Sequence, residues 1–148
     1  MSLLEKECMI LGLGYVGRFY LEKYPNLKWT SRKLKTNSEK SLYFDLLNKQ
    51  SWNAVESARS YLWTFPAAQS EEELKNAVDF FNLYLKNKNT IILSSTSVYK
   101  TTKEHEEVDE NSLLNLTEHR FKAEEELRKQ GAMILHLSGI IGPDRYPK

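Results

Sequence analysis

The stretch that most limits what this chain can become is Cys8 to Arg18, CMILGLGYVGR, an apolar run that breaks into Gly12-x-Gly14-x-x-Gly17 and then turns helical. A strand ending in glycines at this spacing suits a dinucleotide: Gly12 allows a tight turn, Gly14 lets the backbone approach a pyrophosphate, and Gly17 lets a helix pack closely on the strand. The phosphates would sit on backbone N–H groups at the positive end of the helix dipole, with no basic side chain required. Glycines so spaced can also do no more than shape a strand–helix turn, so the flanking residues decide. Met9-Ile10-Leu11 before the loop, and Tyr15, Val16, Phe19 and Tyr20 after it, supply the strand and the helix that a phosphate cradle needs.

Beyond the loop, residues 15–24 read as a helix stopped by Pro25-Asn26, and Leu27 to Thr30 as a second strand running into Ser31-Arg32-Lys33. An acidic residue at that strand end would favour the free ribose 2′-hydroxyl of NAD. Arg32 and Lys33 stand there instead and point to NADP, Arg32 offering the bidentate phosphate contact that a guanidinium favours; a solvated basic turn is the alternative. Ser41 to Phe44 is strand three, and Asp45 at its end could either accept from an adenine amino group or cap the next helix. Arg59 to Phe65 is strand four, ended by Pro66. Ser70 and Glu73 then form a capping box for a helix whose apolar face is Leu74, Ala77, Val78, Phe81 and Leu85.

Thr90 to Leu93 is strand five, an apolar run of the kind buried on both faces of a parallel sheet, and it leads into Ser94-Ser95-Thr96-Ser97-Val98-Tyr99. An acidic, solvated connection (Glu104, Glu106, Glu107, Asp109, Glu110) precedes a helix over 117–129. There Glu118/Lys122, Glu124/Arg128 and Glu125/Lys129 are spaced for i,i+4 pairing, with Gly131 as the C-cap. Met133 to Leu137 is strand six. Strands alternating with helices give an α/β, doubly wound parallel sheet of about six strands, helices on both faces, in one domain over 1–148.

Charge narrows the partners. Lys plus Arg total 21 against 20 Asp plus Glu, a net charge of +1, which gives no long-range pull on nucleic acid or an acidic membrane. No apolar run nears the ~20 residues of a membrane span, and Glu5 and Glu7 flanking Lys6 do not make a signal peptide. The single cysteine, Cys8, fits a reducing, cytoplasmic setting. His105, His119 and His136 are scattered without ligand spacing, so no metal is expected, and Trp29, Trp52 and Trp63 read as core or edge aromatics.

With these pieces in order, the chain resembles the extended and atypical short-chain dehydrogenases, the NAD-dependent epimerase/dehydratase-like group with the three-layer Rossmann fold. The likeness rests on GLGYVG at 12–17, SSTSVY at 94–99, Val108-Asp109-Glu110, and LHLSGIIGP at 135–143, which is similar to that group's strand-six sequence. It implies an NADP (or NAD) cofactor held by Gly12, Gly14, Tyr15, Val16, Gly17, Arg32, Lys33, Asp45, Pro66 and Ser94, a small-molecule substrate, and room for a homodimer. It also implies that Ser95 falls on the catalytic hydroxyl position. The group's Tyr-x-x-x-Lys pair is not recognisable, because Leu116 and Arg120 fall on its two positions; Tyr99, which follows Ser95 closely, is the rival acid. Further departures are Lys100 in place of glycine and His136 in place of arginine, and at 148 residues the chain is expected to hold only the cofactor-binding half, without the group's C-terminal substrate domain, whether as a natural minimal form or an incomplete one. Two functions therefore stand side by side: an oxidoreductase or epimerase-like enzyme, and a non-catalytic dinucleotide-binding sensor acting through a partner.

Overall fold

The computed structural model describes residues 7–55 and 57–146; the flank at Glu5 and Lys6 lies outside them. Six strands, β1 (Cys8–Leu11), β2 (Lys28–Ser31), β3 (Ser41–Tyr43), β4 (Ser60–Trp63), β5 (Asn89–Ser95) and β6 (Met133–Leu137), form one parallel sheet in the order β3-β2-β1-β4-β5-β6. The α-helices are α1 (Tyr15–Lys23), α2 (Glu71–Phe80) and α3 (His119–Lys129). The chain works outward from β1 through β2 to β3, then returns to β1's other side and works outward again from β4. That reversal sets the carboxyl ends of β1 and β4 side by side and opens a crevice between the loops that leave them in opposite directions.

Local chemistry explains the helix ends. Ser70 caps α2, its Oγ accepting the Glu73 N–H at 3.1 Å, while the Glu73 carboxylate reaches back to the Gln69 N–H at 2.7 Å, one residue before the cap itself. Gly131, at φ +107°, ends α3: its N–H bonds the Arg128 carbonyl and that of Ala132 bonds the Leu127 carbonyl, both at 3.0 Å, which satisfies two carbonyls of the last turn. α2 runs on into a π-helical turn, Phe81–Leu85, closed by the Lys86 N–H on the Phe81 carbonyl.

Several expectations are corrected. β2 lies one residue later than its apolar run suggested, and among the described residues no α-helix joins β2 to β3 or β3 to β4; a loop serves the first and a 3₁₀ helix, Lys49–Val55, the second. None of the three i,i+4 pairs expected on α3 forms. Glu125 instead takes Arg128 in a two-bond pair at 2.6 and 2.9 Å, Glu126 takes Lys129, and Glu124 turns inward to Arg120. Glu124 is 2% exposed, so its partner must be one that also reaches the interior.

Met9, Leu11, Tyr61, Trp63 and Ile92 share one face of the sheet, packed with α2, α3 and the Trp52 and Val55 side chains. Phe80 is the centre of this layer, fully buried among the rings of Phe44, Trp52 and Trp63 with centroids 4.8–5.8 Å apart. On the other face Gly17 brings α1 against Ile10. Toward the β6 edge that face is partly open: Ile91, Met133 and Leu135 are 37%, 62% and 46% exposed, whereas Leu93, on the same face as Ile91, is buried, so β5 is covered on both faces only toward its carboxyl end. No helix of the described residues is long and apolar enough to cross a membrane.

Candidate functional site

The glycine loop is built by its neighbours on both sides. The Gly12 N–H donates to Thr30 Oγ1 and the Leu13 N–H to the Thr30 carbonyl, both at 3.0 Å, tying the loop to the end of β2. From β4, Thr64 Oγ1 donates to the Leu11 and Gly12 carbonyls. Gly12 sits at φ +88°, where a Cβ would come within 2.7 Å of the Phe65 ring, and a Cβ at Gly17 would come within 3.1 Å of the Gly12 carbonyl and of Ile10. Gly14 is different: its backbone is extended and a Cβ would meet only Thr64 Oγ1, at 3.9 Å.

Gly14 is the N-cap of α1 and carries no capping side chain. In consequence the N–H groups of Tyr15, Val16 and Gly17 have no acceptor among the described residues, whereas the Arg18 N–H already bonds the Gly14 carbonyl. Three free donors at the positive end of a helix form an anion cradle. The cradle opens on a groove lined by Gly12, Leu13, Gly14, Ser31, Arg32, Lys33, Phe44, Asp45, Leu46, Thr64, Phe65, Pro66, Gln69 and Glu73. Phe44, Leu46, Phe65 and Pro66 form apolar walls. Arg32 and Lys33 are exposed, with no ion pair among the described residues. Asp45 spends one carboxylate oxygen on the Leu47 N–H at 2.9 Å, an Asx turn ahead of the next helix; the expected alternative of Asp45 as that helix's cap is corrected, since Asn48 accepts the Gln50 N–H at its start, at 3.2 Å.

The expected residues do not all meet in this groove. Ser94 is buried and its Oγ donates to the Glu124 carboxylate at 2.5 Å, beneath α3. Glu124 also holds Arg120, whose Nε lies 2.9 Å away and whose other arm reaches the Leu93 carbonyl. Ser95 caps the short 3₁₀ turn Thr96–Val98, accepting the Ser97 N–H and hydroxyl at 3.2 and 3.0 Å. Tyr99 is turned to β6, its hydroxyl 3.2 Å from His136 Nδ1 and the rings edge to face, in a second cavity with Leu114, Phe121 and Glu124. Ser95 and Tyr99 therefore do not share the groove. Leu116 is 38% exposed. Among the described residues no three His, Cys, Asp or Glu side chains gather to hold a metal.

Sequence reading missed Thr30, Thr64, Phe65 and Gln69. Their signal was topological, since the carboxyl ends of β2 and β4 flank β1 in this strand order. Tyr15, expected among the cofactor-binding residues, donates its hydroxyl to Asp144 Oδ1 at 3.0 Å. Partial desolvation, then the bond to and charge of Asp144, raise its pKa above the usual phenol value.

No protein-family model matches the sequence, and no curated protein matches it. Solved structures do match. A protein described as an NAD-dependent epimerase/dehydratase from Methylobacillus flagellatus superposes with TM-score 0.70 at 19% identity, over 95% of this chain and 57% of its own. L-threonine dehydrogenase from Phytophthora infestans gives 0.62 at 11% identity, covering 96% and 56%. UDP-glucose 4-epimerase from Brucella ovis, in complex with NAD, gives 0.61 at 14% identity, covering 90% and 51%. The chain has their fold. It is the Rossmann fold expected from the glycine loop, and the chain spans little more than half the length of these proteins.

Proposed function

We propose that the groove binds a nicotinamide dinucleotide, with NADP(H) preferred, and that the chain is a dinucleotide-binding domain of the epimerase/dehydratase-like short-chain dehydrogenase group. The observation that carries this reading is the set of free N–H groups at Tyr15, Val16 and Gly17 opening beside a Gly14 that leaves room for a diphosphate. The apolar walls at Phe44 and Phe65 suit an adenine ring, and the unpaired Arg32 and Lys33 at the end of β2 suit a ribose 2′-phosphate. A nicotinamide dinucleotide held there supplies hydride transfer. The chain's own part is to bind it, with Thr30 and Thr64 holding the loop in its binding shape.

Titration calorimetry tests the reading. NADPH is expected to bind roughly ten- to a hundredfold more tightly than NADH, the worth of a charge-assisted contact, and Arg32→Ala to erase most of the difference. Equal dissociation constants would remove the NADP preference; no binding of either below millimolar concentration would remove the dinucleotide.

A second reading, binding without turnover, is favoured by three observations: Arg120 is tied to Glu124 and the Leu93 carbonyl, Leu116 offers no phenol, and Tyr99 is engaged by His136 rather than by the groove. Following NADPH absorbance against carbonyl compounds and sugar nucleotides is expected to show no turnover. Turnover that disappears in Tyr99→Phe or Ser95→Ala would return the chain to the enzymes.

A further inference from the structure

Tyr15, the first residue of α1, is gripped by residues 142–145. These residues form a closed turn in which the Gly142 N–H donates to the Arg145 carbonyl at 2.9 Å and the Arg145 N–H to the Gly142 carbonyl at 3.0 Å. Pro143 fixes the backbone inside the turn. The turn meets Tyr15 in three ways. Asp144 accepts the phenol hydrogen bond, the Arg145 guanidinium lies over the ring at 5.4 Å from its centroid, and Gly142 packs so closely that a side-chain carbon there would overlap the phenol oxygen.

The same residue thus carries the guanidinium on its ring and one of the cradle's free N–H groups on its backbone. Arg145 has no ion pair among the described residues, because the Asp144 carboxylate beside it is turned to the phenol. The cations that line the groove, Arg32 and Lys33, stand at the end of β2, where the proposed reading sets the ribose phosphate. The helix end offers only about half an elementary charge to a diphosphate that carries about two. We propose that Arg145 is a further dinucleotide-binding residue, its guanidinium contacting the diphosphate held at the start of α1, with Asp144 and Tyr15 as positioning residues. This rests on the dinucleotide reading of the groove.

The experiment is calorimetric binding of NAD, NADP and ADP-ribose to the wild type, Arg145→Ala, Arg145→Lys and Tyr15→Phe at low and high salt, with circular dichroism melts to establish that each variant is folded. Arg145→Ala is expected to weaken all three ligands by the same factor, roughly tenfold, since they share the diphosphate. The loss should shrink at high salt, Arg145→Lys should recover part of it, and Tyr15→Phe should reproduce a smaller loss by freeing the turn. Unchanged affinity in a folded Arg145→Ala would overturn the proposal. So would a loss confined to NADP, which would put the guanidinium on the 2′-phosphate, or one that spares ADP-ribose, which would put it on the nicotinamide end. A wild type that binds none of the three would bring down the reading of the groove itself, a result distinct from wild-type binding that ignores Arg145.

Discussion

Gly14→Val separates a glycine kept for a ligand from a glycine kept for the fold. Position 14 has φ −93° and ψ −163°, extended backbone that valine adopts freely, and the nearest atom to a Cβ is Thr64 Oγ1 at 3.9 Å. Replacing a glycine N-cap by a residue as poor there as valine costs about 1 kcal/mol, and the stiffer unfolded chain returns about 0.4–1 kcal/mol, so the free protein should keep its stability within about 1 kcal/mol. The ligand effect is far larger. A dinucleotide at about a hundred times its Kd stabilises the folded state by about 2.7 kcal/mol, or a rise in Tm of about 5–11 °C for a domain of this size. The valine methyls would occupy the space beside the free N–H groups and remove that rise. Thermal melts of both proteins with and without NADP are the assay. A variant that melts several degrees lower without ligand, or one that keeps the full ligand-induced rise, would refute the reasoning.

Other expectations come from the same geometry. Gly17→Ala places a carbon 3.1 Å from the Gly12 carbonyl and from Ile10, and should destabilise the free protein by about 1–3 kcal/mol, seen as a lower denaturation midpoint; an unchanged midpoint would show that α1 does not need to pack so closely on β1. The Arg128 hydrogen bond lowers the pKa of Glu125 below its ordinary 4.5, so the pair's contribution is complete above that value and is lost as pH falls through the lowered one. Glu125→Gln should accordingly flatten the fall in Tm on acidification, by no more than the ~1 kcal/mol of a partly exposed pair. Desolvation, outweighing its bond to Ser60, raises the Cys8 thiol, so it should react more slowly with a disulfide reagent at neutral pH in the folded protein than in urea.

Where the chain's behaviour is set by near neighbours, the sequence was readable. The strand–glycine–helix order around α1, the Ser70 cap and the Gly131 stop each depend on residues within a few positions, and each forms. Where it depends on what lies across the sheet, the sequence was mute. Thr30 and Thr64 matter because β2 and β4 flank β1, which their own segments do not announce. Ser94 follows Ile92 by two residues and so shares its face, beneath α3, whereas Ser95 takes the opposite face; strand parity separates two serines that the motif treats together. Tyr99 finds His136 only because β6 pairs with β5. Ile91 is open while Leu93, on the same face, is buried, because an apolar run records what a strand can bury and says nothing of where the cover on each face ends.

The bond from Tyr15 to Asp144 joins residues 129 apart in the chain. Closing a loop of that length before the intervening strands have paired is entropically unfavourable, and the turn brings only a few contacts of its own to offset it. The 142–145 turn should therefore settle on α1 after β4, β5 and β6 have been laid down, as a late event in folding rather than part of its nucleus. During synthesis the glycine loop would emerge early, adopt its shape once β2 and β4 supply Thr30 and Thr64, and wait for the ribosome to deliver the segment that flanks it.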